Sequence, residues 1–384
     1  MSFWTLLEVS LLAVLEVLII CLVGALMATV YCNIFTAETR TILTKIVLAV
    51  FLPCIMFYNL IANVTLSAFI SWWFIPINIC ITNFLGGALG WALVKVVRPE
   101  PYLVGVVISV CSTGNVANVL LIIVPAVCSL NGSPFQNAAA CASVGHSYVA
   151  YSMACCGVYS WTCTYHLMRS SARMVYRESD TCPLLEDGAA ASAAKNLLVE
   201  RSLAYSRVIL RSLHRIMDPA FVASIIAVAI GSTPPLRTAM VGEKAPMKLI
   251  LDTIKWLGNA TVPSITLILG GNLSQGWRES RIQPSLIWGM ICVRYVLIPA
   301  VGVWIVAAAA KLGFLNSDPI FRYVVLIHYC LPPAMQIGAM AQTMQIGEDE
   351  CWAVFLWMYL AAVVAVTVWS AVFMYILPML VNTL

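Results

Sequence analysis

Ten apolar stretches recur along this 384-residue chain, most of them about 20 residues or longer, and they constrain its fold more than any other feature. They fall near positions 8–31, 41–63, 69–94, 102–128, 138–168, 216–232, 248–272, 284–310, 320–344 and 351–381, separated by polar or Gly/Pro-bearing joints. Composition says the same: 61% of residues are apolar, 10% are charged and the mean hydropathy is +0.92. A chain of this size has no way to bury that much apolar surface within itself, so lipid must act as its solvent. The sequence predicts an all-α polytopic membrane protein of ten transmembrane helices. The first stretch reads as a span rather than a cleaved leader, because it is too long and lacks a basic flank.

One long hydrophilic segment, Arg169 to Arg215, separates a first set of five helices (1–168) from a second (216–384). With the N-terminus outside, the inward loops and flanks carry fourteen basic residues: Arg40, Lys45, Lys95, Arg98, Arg278, Arg281 and eight within 169–215. The outward side carries five: Arg237, Lys244, Lys248, Lys311 and Arg322. That bias predicts outside or lumenal termini and a cytosolic central loop. An odd number of helices per half turns the second half upside down relative to the first, the inverted-repeat plan of many secondary transporters. Leu52-Pro53-Cys54-Ile55 in span two and Val262-Pro263-Ser264-Ile265 in span seven echo one another in support.

Spans four and nine are interrupted. Ser112-Thr113-Gly114-Asn115-Val116-Ala117-Asn118 precedes Pro125 in one, and Leu331-Pro332-Pro333-Ala334-Met335-Gln336 stands in the other. Adjacent prolines remove two backbone donors and force the preceding residue out of helical geometry. Lipid accepts unwound backbone only where protein buries it or it lines a cavity. Two broken helices in matching positions predict a central site, where half-helix N-termini attract an anion. Asn115, Asn118 and Gln336 are the candidate amide donors to a small organic anion.

Few charges lie within the apolar stretches. Glu16, Lys255 and Arg294 must be paired or face water, since an ion at the bilayer centre costs roughly 2.5–3.5 kcal/mol. Glu16 and Lys255 are expected to be partners, either as a structural pair or as a coupling site. His328 precedes the second break and reads as a hydrogen-bonded helix histidine. The 14 cysteines, Cys21, Cys54, Cys80 and Cys292 among them, have no zinc spacing and read as reduced buried thiols. No catalytic, metal or nucleotide motif is present, so neither an enzyme nor a cofactor is expected, and nothing suggests nucleic acid.

These motifs resemble a known family. Ile34-Phe35-Thr36 followed by Pro53, the Asn118 to Pro125 spacing, Val293-Arg294-Tyr295 with Pro299-Ala300-Val301, and Leu331-Pro332 are similar to the PIN-FORMED auxin carriers. Arg98-Pro99 with Pro101, Gly114-Asn115, Ile122 through Cys128 and Gly132-Ser133-Pro134-Phe135 look closer still to the PIN-LIKES proteins of plants. The resemblance implies auxin, chiefly indole-3-acetic acid, as substrate. It also implies residence in the endoplasmic reticulum membrane, where transport would limit the auxin available to the nucleus. Spans one, two, six and seven would form a scaffold and spans four and nine the core of a moving unit. Leu52, Asn118 and Pro332 stand where those carriers contact substrate. Two features differ: Gly114 and Asn115 replace the carriers' first crossing proline, and Phe69 to Trp91 lacks their acidic residue. An ion-coupled carrier of another carboxylate and an auxin-binding receptor are the alternatives, and a homodimer is left open.

Overall fold

The computed structural model describes residues 3–29, 34–63, 70–129, 135, 138–178, 219–242, 245–274, 282–344 and 346–381. Among these residues the secondary structure is helical apart from one isolated β-bridge. The first apolar stretch is α1 (Phe3–Met27). The second is α2 (Ala37–Ile46), a π-helical turn at Val47–Phe51 and α3 (Leu52–Asn63). Next come α4 (Phe74–Val97), then α5 (Val104–Ser112) and α6 (Val116–Ser129) as two halves of the interrupted fourth stretch. The fifth comprises α7 (Ala138–Tyr159), a π turn at Ser160–Thr164 and α8 (Tyr165–Glu178).

The later part begins with α9 (Pro219–Ser232), which turns by 108° into the short α10 (Pro234–Met240). It continues through α11 (Lys248–Asn259), α12 (Thr261–Leu273), α13 (Pro284–Cys292), a π turn at Val293–Leu297 and α14 (Ile298–Lys311). The interrupted ninth stretch is α15 (Pro319–Ile327), a 3-10 turn at His328–Cys330 and α16 (Gln336–Met344). The long α17 (Glu348–Val381) ends the described chain.

Prolines account for several irregularities that sequence reading did not place, although no proline follows the π turn at Ser160–Thr164. A proline leaves the carbonyl four residues earlier without its helical partner, so the strain appears one turn upstream. Pro53 follows the Val47–Phe51 π turn, Pro299 follows the one at Val293–Leu297, and Pro263 follows the break at Ala260. The Tyr295 carbonyl that Pro299 frees is taken by the Trp369 indole, at 2.7 Å.

Among the described residues, four helices are long and apolar enough to cross a membrane: Ala37–Ile61, Phe74–Val97, Pro284–Lys311 and Glu350–Pro378. The bent Val222–Ser232 and Pro234–Met240 pair makes a fifth if counted as one. The halves of the interrupted stretches, such as Val119–Ser129 and Pro319–Cys330, are apolar but shorter. The outer surface fits a lipid solvent. Leu11, Leu15, Ile19, Leu22 and Leu26 recur at helical spacing as an exposed stripe on α1, and Trp256 and Trp304 are about four-fifths exposed.

Small residues set the closest helix approaches. A Cβ on Gly24 would meet the Leu267 carbonyl, and one on Gly270 would meet the Cys21 carbonyl, so α1 and α12 touch backbone to backbone. The elements α1, α3, α9, α11 and α12 pack in a chain of contacts, α1 on α12 and α3 on both α9 and α11. Elsewhere α4 packs on α5, α6 on α7 and α15 on α17.

Two expectations need correction. The hydrophilic segment does not begin as a loop: Arg169 to Glu178 continues the helix α8. Ser171 and Ala172 are buried there, with Ser171 against Gly105 at the start of α5. Residues 179–218 lie outside the described residues. The cysteines are not all reduced, because Cys128 at the end of α6 is disulfide-bonded to Cys141 in α7. Cys21, Cys54, Cys80 and Cys292 are free as expected, although Cys80 and Cys292 are exposed.

Candidate functional site

The two interrupted stretches meet. Thr113 leaves α5 in extended geometry and Leu331 leaves the 3-10 turn likewise, and Gly114 and Pro333 form an antiparallel bridge between them. The Asn115 N–H donates to the Pro332 carbonyl at 2.7 Å, and the Ala334 N–H donates to the Thr113 carbonyl at 3.0 Å. Pro332 and Pro333 have no N–H of their own, so they take part only as acceptors. Unwound backbone within an apolar interior therefore finds partners in the other unwound strand.

Arg294 completes this crossing. It is fully buried in the π turn between α13 and α14. Its Nε donates to the Leu331 carbonyl at 2.7 Å, and its Nη1 donates to the carbonyls of Cys111 and Ser112 at 2.7 and 3.1 Å. Those carbonyls end α5 and the 3-10 turn, where no helical N–H remains to bond them. Nη2 is buried with no hydrogen-bond partner and lies against Gly114, so close that any Cβ there would collide with it. Glycine at this position is thus a steric requirement of the guanidinium.

The remaining predicted residues take varied places. Asn115 is buried, and its side-chain amide donates to the Tyr359 hydroxyl at 2.6 Å, which donates in turn to the Pro333 carbonyl at 3.0 Å. Asn118 is in the first turn of α6, and its side chain lies outside what is described. Gln336 opens α16, half-buried, and among the described residues nothing is hydrogen-bonded to its side chain. Leu52 is buried at the start of α3, and Pro332 is buried within the crossing. Lys255 is exposed, with Nζ 5.1 Å from the centre of the Tyr58 ring, and no described carboxylate pairs with it. Glu16 belongs to α1, and its side chain is outside the described residues, so the expected pairing lies there too.

Sequence reading missed Asn78. It stands in α4, whose first turns carry no acid, and it is fully buried. Its amide donates to the Val325 carbonyl at 3.0 Å and accepts from the Tyr329 hydroxyl at 2.7 Å. The same amide nitrogen is 3.4 Å from Nδ1 of His328, so that histidine is hydrogen-bonded as expected. The available signal was a run of polar residues, Asn78, Thr82 and Asn83, in an otherwise apolar stretch.

One turn and more beyond the crossing, an open groove of about 560 Å³ lies between α6, α7 and α12. Leu121, Ile122 and Pro125 form one wall, Ala139 and Ala142 the second, and Val262 the third. The Cys128–Cys141 bond ties the first two walls together. Asn118 stands one helical turn before Ile122.

An all-helical membrane protein whose interior is built on two interrupted, mutually paired helices has the architecture of a transporter. Sequence comparison agrees: the chain belongs to the membrane transport protein family, whose family model matches residues 9–370. It is similar to PIN-LIKES 7 of Arabidopsis thaliana, at 44% identity over 98% of this chain and the whole of that one. It is likewise similar to PIN-LIKES 5 of the same plant, at 41% over 98% of this chain and all of that one. PIN-LIKES 1 shares 36%, covering 94% of this chain and 78% of its own length.

Proposed function

We propose that this protein carries auxin, chiefly indole-3-acetic acid, across the endoplasmic reticulum membrane and so regulates how much reaches the nucleus. The observation that carries the reading is the crossing, with the N-termini of α6 and α16 beginning at one buried junction. Each such end carries roughly +0.5 elementary charge, which suits a carboxylate. The neighbouring open groove, lined mostly by apolar side chains, lies in the size range of small-molecule pockets and suits a planar indole. Asn118 and Gln336 are the amides we assign to the carboxylate, with Leu52 and Pro332 as neighbouring walls. Asn115 belongs to the same group, through the crossing that its bond to Tyr359 steadies.

The reading comprises ten spans in two inverted halves, with α1, α3, α9, α11 and α12 as the fixed part. Lumenal termini follow from the charge bias. The Cys128–Cys141 bond supports that orientation, because it joins α6 to α7 at the face that the bias places outside, and thiols stay reduced in the cytosol.

The test is uptake of radiolabelled indole-3-acetic acid by proteoliposomes containing the purified chain, with pH and sodium gradients imposed separately. Saturable uptake above that of empty vesicles is expected. Binding without uptake would make the chain a receptor. Uptake of another carboxylate with none of the indole acid would make it a different carrier.

A further inference from the structure

We propose that Arg294 gives the crossing its preference for an anion, acting on the substrate through the backbone rather than by touching it. This inference rests on the reading of the crossing as the substrate site. Four half-helix ends converge there: two N-termini, of α6 and α16, and two C-terminal ends, of α5 and the 3-10 turn. N-termini carry roughly +0.5 elementary charge and C-termini roughly −0.5. Left alone, the four ends would nearly cancel and an anion would gain little. The guanidinium sits on the negative pair only, bonding the carbonyls of Cys111, Ser112 and Leu331.

The full charge of Arg294 offsets those two ends and leaves the positive ends of α6 and α16 unopposed. No described carboxylate neutralises Arg294, and its Nη2 has no partner at Gly114, where the chain passes from the end of α5 toward α6. In a low-dielectric interior the positive charge left on the two N-termini acts over several ångströms. Arg294 is thus a positioning and specificity residue, with two separable contributions: a fork that pins both strands and a charge that sets the sign of the site.

The experiment separates them. Binding of indole-3-acetate and of its neutral isostere indole-3-acetamide is measured on the purified chain in nanodiscs, for wild type, Arg294→Gln and Arg294→Lys. Wild type is expected to favour the acid. Arg294→Gln is expected to lose about tenfold of that preference, chiefly by weaker acid binding, as a dipole-scale interaction implies. Arg294→Lys keeps the charge without the fork, so it should melt at a lower temperature yet still prefer the acid. If Arg294→Gln does not fold, the lysine variant decides, and a folded lysine variant without acid preference overturns the proposal. A glutamine variant that weakens acid and amide equally, or leaves the preference intact, also overturns it while leaving the substrate reading standing. Wild type binding neither probe overturns the substrate reading and this inference together.

Discussion

Gly114 and Arg294 show how residue identity at the crossing is decided by atoms that are remote in sequence. A methyl group at position 114 would occupy the place of the guanidinium Nη2. Gly114→Ala should therefore lower stability by about 1–3 kcal/mol, the usual range for overpacking. Thermal melting in detergent checks this against Gly157→Ala, where a Cβ meets nothing within 4 Å and no loss is expected. Asn118→Ala should weaken indole-3-acetate binding by roughly tenfold, the loss of one charge-assisted hydrogen bond, with melting nearly unchanged. Unaltered binding by that variant would remove Asn118 from the site. At this scale the sequence was only partly legible. Asn115, Pro332 and the breaks were visible because helix breakers in an apolar run are conspicuous. The partners of Arg294 were hidden, since a backbone carbonyl leaves no trace in residue type.

Elements were more legible than contacts. Apolar runs gave the helices, and the paired prolines gave the second break. Two of the π turns escaped notice because one proline in a membrane helix is common, and its strain appears upstream of it, while the third, at Ser160–Thr164, has no proline to mark it. The α1–α12 approach depends on two single glycines in different helices, a pairing that no local pattern encodes. Either Gly24→Ala or Gly270→Ala should force these helices apart and lower the melting temperature. The double variant should lose less than the sum, because one separation relieves both clashes. Fully additive losses in the melting cycle would show two independent contacts. Asn78→Ala should cost about 1–3 kcal/mol, since the Tyr329 hydroxyl and the Val325 carbonyl would both be left unpaired in the interior.

For the whole molecule, orientation is the claim on which the inverted halves depend. In sealed vesicles with the cytosolic face outward, protease should cut within the polar 179–196 segment and leave two embedded fragments, with both termini protected until detergent is added. Early loss of a tag at Leu384 would mean an odd number of spans and would undo the repeat. The charge bias in the sequence predicts this orientation, whereas the Cys128–Cys141 bond had no motif to mark it. The crossing also bears on how the protein is made. Its hydrogen bonds run between segments in opposite halves of the chain, and its arginine arrives 183 residues after the Cys111 carbonyl that it bonds. While the first half alone has been inserted, the Thr113 carbonyl and the Asn115 amide lack their partners in a medium with no water to replace them. Biogenesis must shelter that half until Ala334 has entered the membrane, and the crossing is then among the last parts of the protein to come into existence.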